Sequence, residues 1–264
     1  MRKKYFFGKY YKFIGSDSFS FALIDSDSND GEERQIILPH CSVVLKNKNS
    51  IIIENDSILF DVNQEDLKIK GKITLGILHP LKRDAMGVFK FFKMECRHSI
   101  YSMYHSLSGT ITINDKIHSF NDGFGYIEGD SGVSFPQKYV WYNSIGKDYG
   151  VMLAIATIPF GLINFKGILG FVSYKGKEYY LTTYTGAKIV KLTEKEIIIK
   201  KGKYVLKINI NRENNGHVLK APENGKMSRL IRENIAIPSS FYFLKHGEEI
   251  LKREDELSSL EYVF

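Results

Sequence analysis

The chain has 264 residues, 43% apolar and 25% charged, the balance of an ordinary soluble globular protein and long enough for one large β domain or two moderate ones. Its formal charge of +7 comes largely from single lysines spread along the chain, such as Lys68, Lys70 and Lys72. That spacing describes solvated strand faces, and no aromatic-plus-basic module of a nucleic-acid reader accompanies it, so nucleic acid is not an expected partner.

At the N-terminus Met1-Arg2-Lys3-Lys4 is basic, but Gly8, Lys9 and Lys12 break up the aromatic residues beyond it and no apolar signal-peptide core appears. Cys41 and Cys96 are therefore expected to be free thiols in a cytoplasmic protein. Aromatic residues reach 13%, almost all Phe and Tyr, which suits pleated surfaces. The polar run Asp25 to Glu33 reads as a solvated hairpin tip. It lacks the flanking helices and late Glu of a calcium loop. In Leu67 to Leu78, apolar Leu67, Ile69, Ile73 and Leu75 alternate with lysines and Thr74, the period of a half-buried strand. Thr110–Ile113 and Lys116–His118 flank Asn114-Asp115 as a hairpin. A soft domain boundary is placed at Asn121-Asp122-Gly123, giving units 1–122 and 123–264.

The stretch from Val151 to Val172 is the most apolar, but Pro159-Phe160-Gly161, Asn164 and Lys166 interrupt it. Two strands about a bend fit better than a bilayer span, which leaves room for peripheral membrane contact. Further hairpins surround Lys175-Gly176 and Lys201-Gly202. Only Lys226 to Asn234 suggests a turn or two of helix. Many short strands with frequent turns imply an all-β sandwich or barrel with very little helix.

Two clusters could carry chemistry. In Met94-Glu95-Cys96-Arg97-His98-Ser99, strand parity puts Glu95 with Arg97 on one face and Cys96 with His98 on the other. Glu95 and Arg97 could form an ion pair fixing register or a polar anchor for a ligand; a metal site from Cys96, His98 and His105 lacks a known spacing. In Tyr126-Ile127-Glu128-Gly129-Asp130-Ser131-Gly132, Tyr126, Glu128 and Asp130 share a face. Two buried carboxylates held close leave one of them protonated near neutrality, as a general acid requires; a polar edge strand is the plain alternative. Gly129 and Gly132 would let a ligand or another backbone approach. Trp141 and Tyr142 follow in an aromatic strand, which serves as core or as a wall for a cation. No P-loop, dinucleotide fingerprint, Gly-x-Ser-x-Gly elbow or Cys-x-x-Cys is present.

The run Gly125-Tyr126-Ile127-Glu128-Gly129-Asp130-Ser131-Gly132-Val133-Ser134-Phe135-Pro136, followed by Tyr139-Val140-Trp141, resembles the tocopherol cyclase-like family, particularly its bacterial branch. Pro80–Gly87, Met94–Ser99, Met103–Ser106, Tyr184–Lys188 and Leu219–Glu233 agree with it in order. At Tyr5–Lys12 the chain differs, with Phe7 where the family has Glu and Lys9 where it has Trp. The resemblance implies two packed lipocalin-like β-barrel or β-sandwich units, related to carotenoid hydratase and lipocalin-like Diels–Alderase proteins. Plant members close a chromanol ring by protonating a prenyl double bond, without a cofactor. Carried onto this chain, Glu128, Asp130 and Tyr126 become the catalytic candidates. Trp141, Tyr142, Glu95, Arg97, His98 and Tyr104 become the substrate-binding ones, with no metal. The expected function is cofactor-free cyclisation or isomerisation of a prenylated or otherwise apolar small molecule. Non-catalytic binding of a hydrophobic ligand, and lysine-driven contact with anionic lipid, are the alternatives.

Overall fold

A computed structural model describes residues 5–16, 19–28, 31–160, 163–211 and 216–264. The tip of the hairpin read at Asp25 to Glu33 (Asn29 and Asp30) and Gly161 of the bend read at Pro159-Phe160-Gly161 lie outside the described residues.

Alternating sequence becomes strand almost throughout. The first sheet comprises β1 (Phe6–Ile14), β2 (Ser20–Ser28), β3 (Gly31–Leu38), β4 (Cys41–Val44), β5 (Ile51–Ile53), β6 (Ser57–Gln64), β7 (Leu67–Leu75), β8 (Cys96–Ile113), β9 (Lys116–Ser119) and β10 (Gly123–Gly132). The second comprises β11 (Tyr139–Gly146), β12 (Tyr149–Phe160), β13 (Ile163–Tyr174), β14 (Lys177–Tyr180), β15 (Lys188–Leu192), β16 (Glu196–Lys201), β17 (Tyr204–Ile210), β18 (His217–Glu223), β19 (Lys226–Lys245) and β20 (Glu248–Val263). All pairings within both sheets are antiparallel, and each sheet sets its first strand beside its last, β1 with β10 and β11 with β20. In the first sheet the Arg34 guanidinium on β3 donates to the Ile51 carbonyl on β5, across the opening of the curl. The architecture is the expected all-β, lipocalin-like one. Among the described residues no helix is long and apolar enough to cross a membrane.

The turn at Asn121-Asp122-Gly123, with Asp122 at φ 61, leads into β10, which pairs with β1 and β8. The changeover between sheets therefore falls after Gly132. One expectation fails: Lys226 to Asn234 belongs to β19, paired with β18 and β20. Along this segment Ile231, Glu233 and Ile235 are buried at alternate positions, the period of a strand.

β7 behaves as read, with Leu67, Ile69 and Ile73 buried and Lys68, Lys70 and Lys72 exposed. Its inner face joins a core in which Phe21 meets the rings of Phe13, Phe60 and Phe120 at 5.0, 5.6 and 5.7 Å. This core takes in side chains of the second sheet, including Trp141, Met152, Phe171 and Ile235. A second core lies within the second sheet, around Val151, Leu206, Phe241 and Phe243. The sheets meet closely where β12 crosses β8: a Cβ on Gly150 would lie 2.2 Å from the Met103 carbonyl oxygen, so only glycine fits. Cys41 and Cys96 are both free.

Phe21→Ala should cost about 3–5 kcal/mol through the lost ring and the cavity left behind. Lys70→Ala on the solvent face should change stability by less than about 0.5 kcal/mol. Urea unfolding of the two variants checks both.

Candidate active site

A cavity of about 890 Å³ opens between the two sheets. Its lining is mostly apolar, including Phe6, Phe89, Phe135, Phe165, Leu169 and Ile231. Into this lining β8 and β10 bring His98, Glu128 and Asp130, and β11 brings Trp141.

Cross-strand register builds the polar cluster. His98 and Asp130 face one another on β8 and β10, and Nδ1 lies 2.9 Å from Asp130 Oδ1. The other ring nitrogen, Nε2, is 3.3 Å from Glu128 Oε2, at ion-pair distance without hydrogen-bond alignment. Pairing between β8 and β10 shifts register on either side of Ile127. Such bulges re-aim side chains beside functional sites. The Tyr126 hydroxyl donates to Glu128 Oε2, and the Trp141 indole N–H donates to the same oxygen at 3.1 Å. The Trp141 bond ties the first sheet to the second at the cavity wall.

Across the seam stands a second pair of acids that the sequence reading missed. Glu233 on β19 and Glu261 on β20 are direct neighbours, and Glu261 is also the cross-strand neighbour of Trp141. The Tyr139 hydroxyl donates to Glu261 Oε2, and the Tyr10 hydroxyl to Glu233 Oε1 at 2.7 Å. Glu233 is fully buried with its Oε2 unpartnered, whereas Glu261 reaches the cavity. The Tyr10 ring stands edge-on to Trp141 at 5.2 Å. The available signal was Glu233 alternating with Ile231 and Ile235, a carboxyl on the inward face of a strand.

The remaining expected residues separate. Tyr142 alternates with Trp141, so it points into the second core and bonds Ser239 and Ser258, each at 3.0 Å. Tyr104 stacks on His79 at 4.6 Å and does not line the cavity. Arg97 is exposed and donates to the Lys90 carbonyl at 2.6 Å, not to Glu95, so the buried Glu95–Arg97 pair is not formed. Glu95, also exposed, sits at the cavity rim. At Gly129 and Gly132 the close neighbours are the chain's own atoms: the Tyr101 ring would lie 2.8 Å, and the Glu95 carbonyl 2.0 Å, from an added Cβ. Phe7, where the family has Glu, is 63% exposed, while Lys9 lines the cavity and lies over the Tyr101 ring at 5.6 Å.

Ligand atoms of His98, Glu128 and Asp130 all lie within 4.8 Å of one another, close enough to hold a metal ion. In this arrangement both imidazole nitrogens face carboxylates, so the three groups compensate each other's charge. His105 bonds Ser102 at 3.0 Å and does not join them.

Electrostatics divides the acids and bases. Burial alone would lower the His98 pKa, but Glu128 and Asp130 override it and raise the value from 6.5 to about 10. The ring is therefore an imidazolium at neutral pH. Burial, assisted by Glu128 and Asp130 and opposed by the Tyr139 hydrogen bond and Arg229, raises Glu261 from 4.5 to about 8. Burial and then Glu261 raise Glu233 well above the carboxylate range. Burial and then Asp130 raise the Cys96 thiol, which keeps its proton.

No family model matches the chain, and no curated protein matches it. Solved structures do share the fold. The crystal structure of kievitone hydratase from Nectria haematococca superposes with a TM-score of 0.54 at 10% identity, covering 98% of this chain and 88% of that one. CghA with Sch210972 gives 0.64 at 7% identity, covering 99% and 88%. CghA alone gives 0.64 at 6%, covering 99% and 89%.

His98 and Glu261, both raised, predict the same pH trend, whereas His105, lowered by burial from 6.5 to about 4, opposes it below about 6.5. The folded pKa of His98 exceeds its ordinary value, so its stabilisation is complete below about 6.5 and is lost as pH rises towards about 10. Glu261 retains a proton when folded that the unfolded chain releases, so its contribution falls between about 4.5 and about 8. The urea midpoint should decline from about pH 6.5 upward, where His105 no longer opposes the trend. Glu261→Gln should flatten the lower part of the decline and His98→Asn the upper part.

Proposed function

We propose that this chain is a tocopherol cyclase-like enzyme that cyclises, hydrates or isomerises an apolar, unsaturated small molecule by acid–base chemistry without a cofactor. The observation that carries the reading is a pair of acid–base groups of opposite protonation in the wall of one greasy cavity. Glu261, raised by burial, is held neutral and can give a proton; Glu128 and Asp130, on either side of the His98 imidazolium, offer oxygens that can accept one. A carboxylic acid kept neutral beside a separate cluster of acceptor oxygens is a usual arrangement for acid and base roles.

In the proposed step the Glu261 O–H bond breaks as a C–H bond forms at a double bond of the ligand. The resulting cation lies against the Trp141 and Tyr10 rings, whose faces favour positive charge. A C–O bond then forms, from the ligand's own hydroxyl for cyclisation or from water for hydration. The released proton passes to the Glu128–His98–Asp130 cluster, and exchange with cavity water returns one to Glu261. Loss of a neighbouring C–H proton to the same cluster would give isomerisation instead. Tyr126 and Trp141 orient Glu128 throughout. This reading gives Glu261 the donor role that the sequence alone had offered to Glu128 or Asp130.

The shared fold of kievitone hydratase, a protein named as an enzyme, is in keeping with the proposal. To test it, small molecules co-purifying with Glu128→Gln and Glu261→Gln would be identified by mass spectrometry and supplied to the wild-type protein. The expected ligand is apolar and unsaturated, and the wild type converts it to a product of equal mass or one water heavier. Each variant should be slower by roughly 10²–10⁴-fold. A ligand that the wild type binds and leaves unchanged would make the protein a carrier.

A further inference from the structure

The connection between β7 and β8 ends in a 3-10 turn, Gly87–Phe91, at the cavity mouth. Its fixed point is Phe89, which stacks on Phe165 at 6.3 Å and meets Tyr184 edge-on at 6.0 Å. Gly87 adopts φ +52 against the Tyr184 ring, and the Tyr184 hydroxyl donates to the Ala85 carbonyl at 3.0 Å, so the turn is held from below. From this base Val88, Phe91 and Phe92 project outward, 53%, 80% and 53% exposed.

Three observations point to what covers these side chains. The connection that carries them is one-sided in charge: residues 76–97 hold five basic residues, Lys82, Arg83, Lys90, Lys93 and Arg97, against two acidic ones, Asp84 and Glu95. Asp84 is turned back onto the Met86 backbone N–H at 2.8 Å. The cations also flank the aromatic tip itself: the Lys90 ammonium lies 5.2 Å from the Phe91 ring centroid, and the Arg97 guanidinium donates to the Lys90 carbonyl. Finally, Val88, Phe89, Phe92, Lys93 and Met94 line the cavity, so the exposed patch is continuous with the surface that receives the ligand.

An aromatic tip ringed by lysine and arginine matches the layered chemistry of an anionic bilayer surface. Aromatic rings settle at the interface, and cations meet the lipid phosphates just outside it. We propose that Val88–Lys93 docks the cavity mouth on an anionic phospholipid bilayer, with Phe91 and Phe92 entering the interface and Lys90 and Lys93 on the headgroups. A ligand of low water solubility then passes from bilayer to cavity along Phe92 and Phe89. The inference holds for an enzyme or a carrier alike, so it stands apart from the chemistry proposed above.

Co-flotation with phosphatidylglycerol–phosphatidylcholine vesicles, against phosphatidylcholine alone, tests it with the purified full chain. The wild type should float with the mixed vesicles and much less with the neutral ones, and added salt should weaken the binding. Phe91→Ser with Phe92→Ser should weaken it by about tenfold or more. Lys90→Gln and Lys93→Gln should each weaken it about fivefold. All four side chains are outside the core, so thermal melting of the variants should match the wild type. Absence of binding to the mixed vesicles, or binding that the Phe pair does not alter, would overturn the proposal. A wild-type dimer split by Phe91→Ser, without vesicle binding, would assign the patch to a second copy of the chain and overturn it equally.

Discussion

An imidazolium held between two carboxylates in the wall of an apolar cavity is the constraint on which the site depends. Burial disfavours every isolated charge, yet His98, Glu128 and Asp130 are placed so that each offsets the cost of the others. The placement is a matter of register. His98 and Asp130 are opposite one another across two strands, and the irregular pairing around Ile127 accompanies the aim of Glu128 at the second ring nitrogen. A slip of one residue in either strand would send these side chains to the other face of the sheet.

The second sheet completes what the first begins. Trp141 reaches across the seam to Glu128, and on its own strand pairing it stands beside Glu261. One indole thus links a charged cluster on the first sheet with a neutral acid pair on the second. The contrast has a simple origin: His98 supplies positive charge to the first set, whereas Glu233 and Glu261 face one another and are buried with tyrosine hydroxyls as partners. His98, Glu128 and Asp130 from the first set and Glu261 from the second line the same cavity, which is lined otherwise mostly by Phe, Leu and Ile. The segment after β10, the last strand of the first sheet, leads directly into β11, the strand that carries Trp141.

Much of this fold was legible in the sequence because a strand's period is local. Leu67 to Leu75 shows its buried and solvent faces without reference to the rest of the chain, and the Asn114-Asp115 turn announces its hairpin, both residues taking positive φ. Tyr126, Glu128 and Asp130 could be placed on one face for the same reason. What parity cannot supply is the partner across the sheet. The bond of Arg97 to the Lys90 carbonyl depends on a 3-10 turn, so the Glu95–Arg97 pairing failed. Tyr142 and Trp141 were assigned one role although adjacent strand residues must diverge. Glu233 and Glu261 were hidden by a different error: reading Lys226 to Asn234 as helix removed the alternation that marks Glu233 as inward. Glu261 lies far along the chain from Trp141 and is brought beside it only by the closure of the second sheet.

The protonation state of His98 tests the account most directly, because it requires neither a ligand nor turnover. Nitrogen-15 NMR of the imidazole can be followed through an alkaline titration. With the ring held between Glu128 and Asp130, both nitrogens should remain protonated through neutral pH and titrate only near about 10. A ring that loses its proton near its ordinary value of about 6.5 would contradict the account.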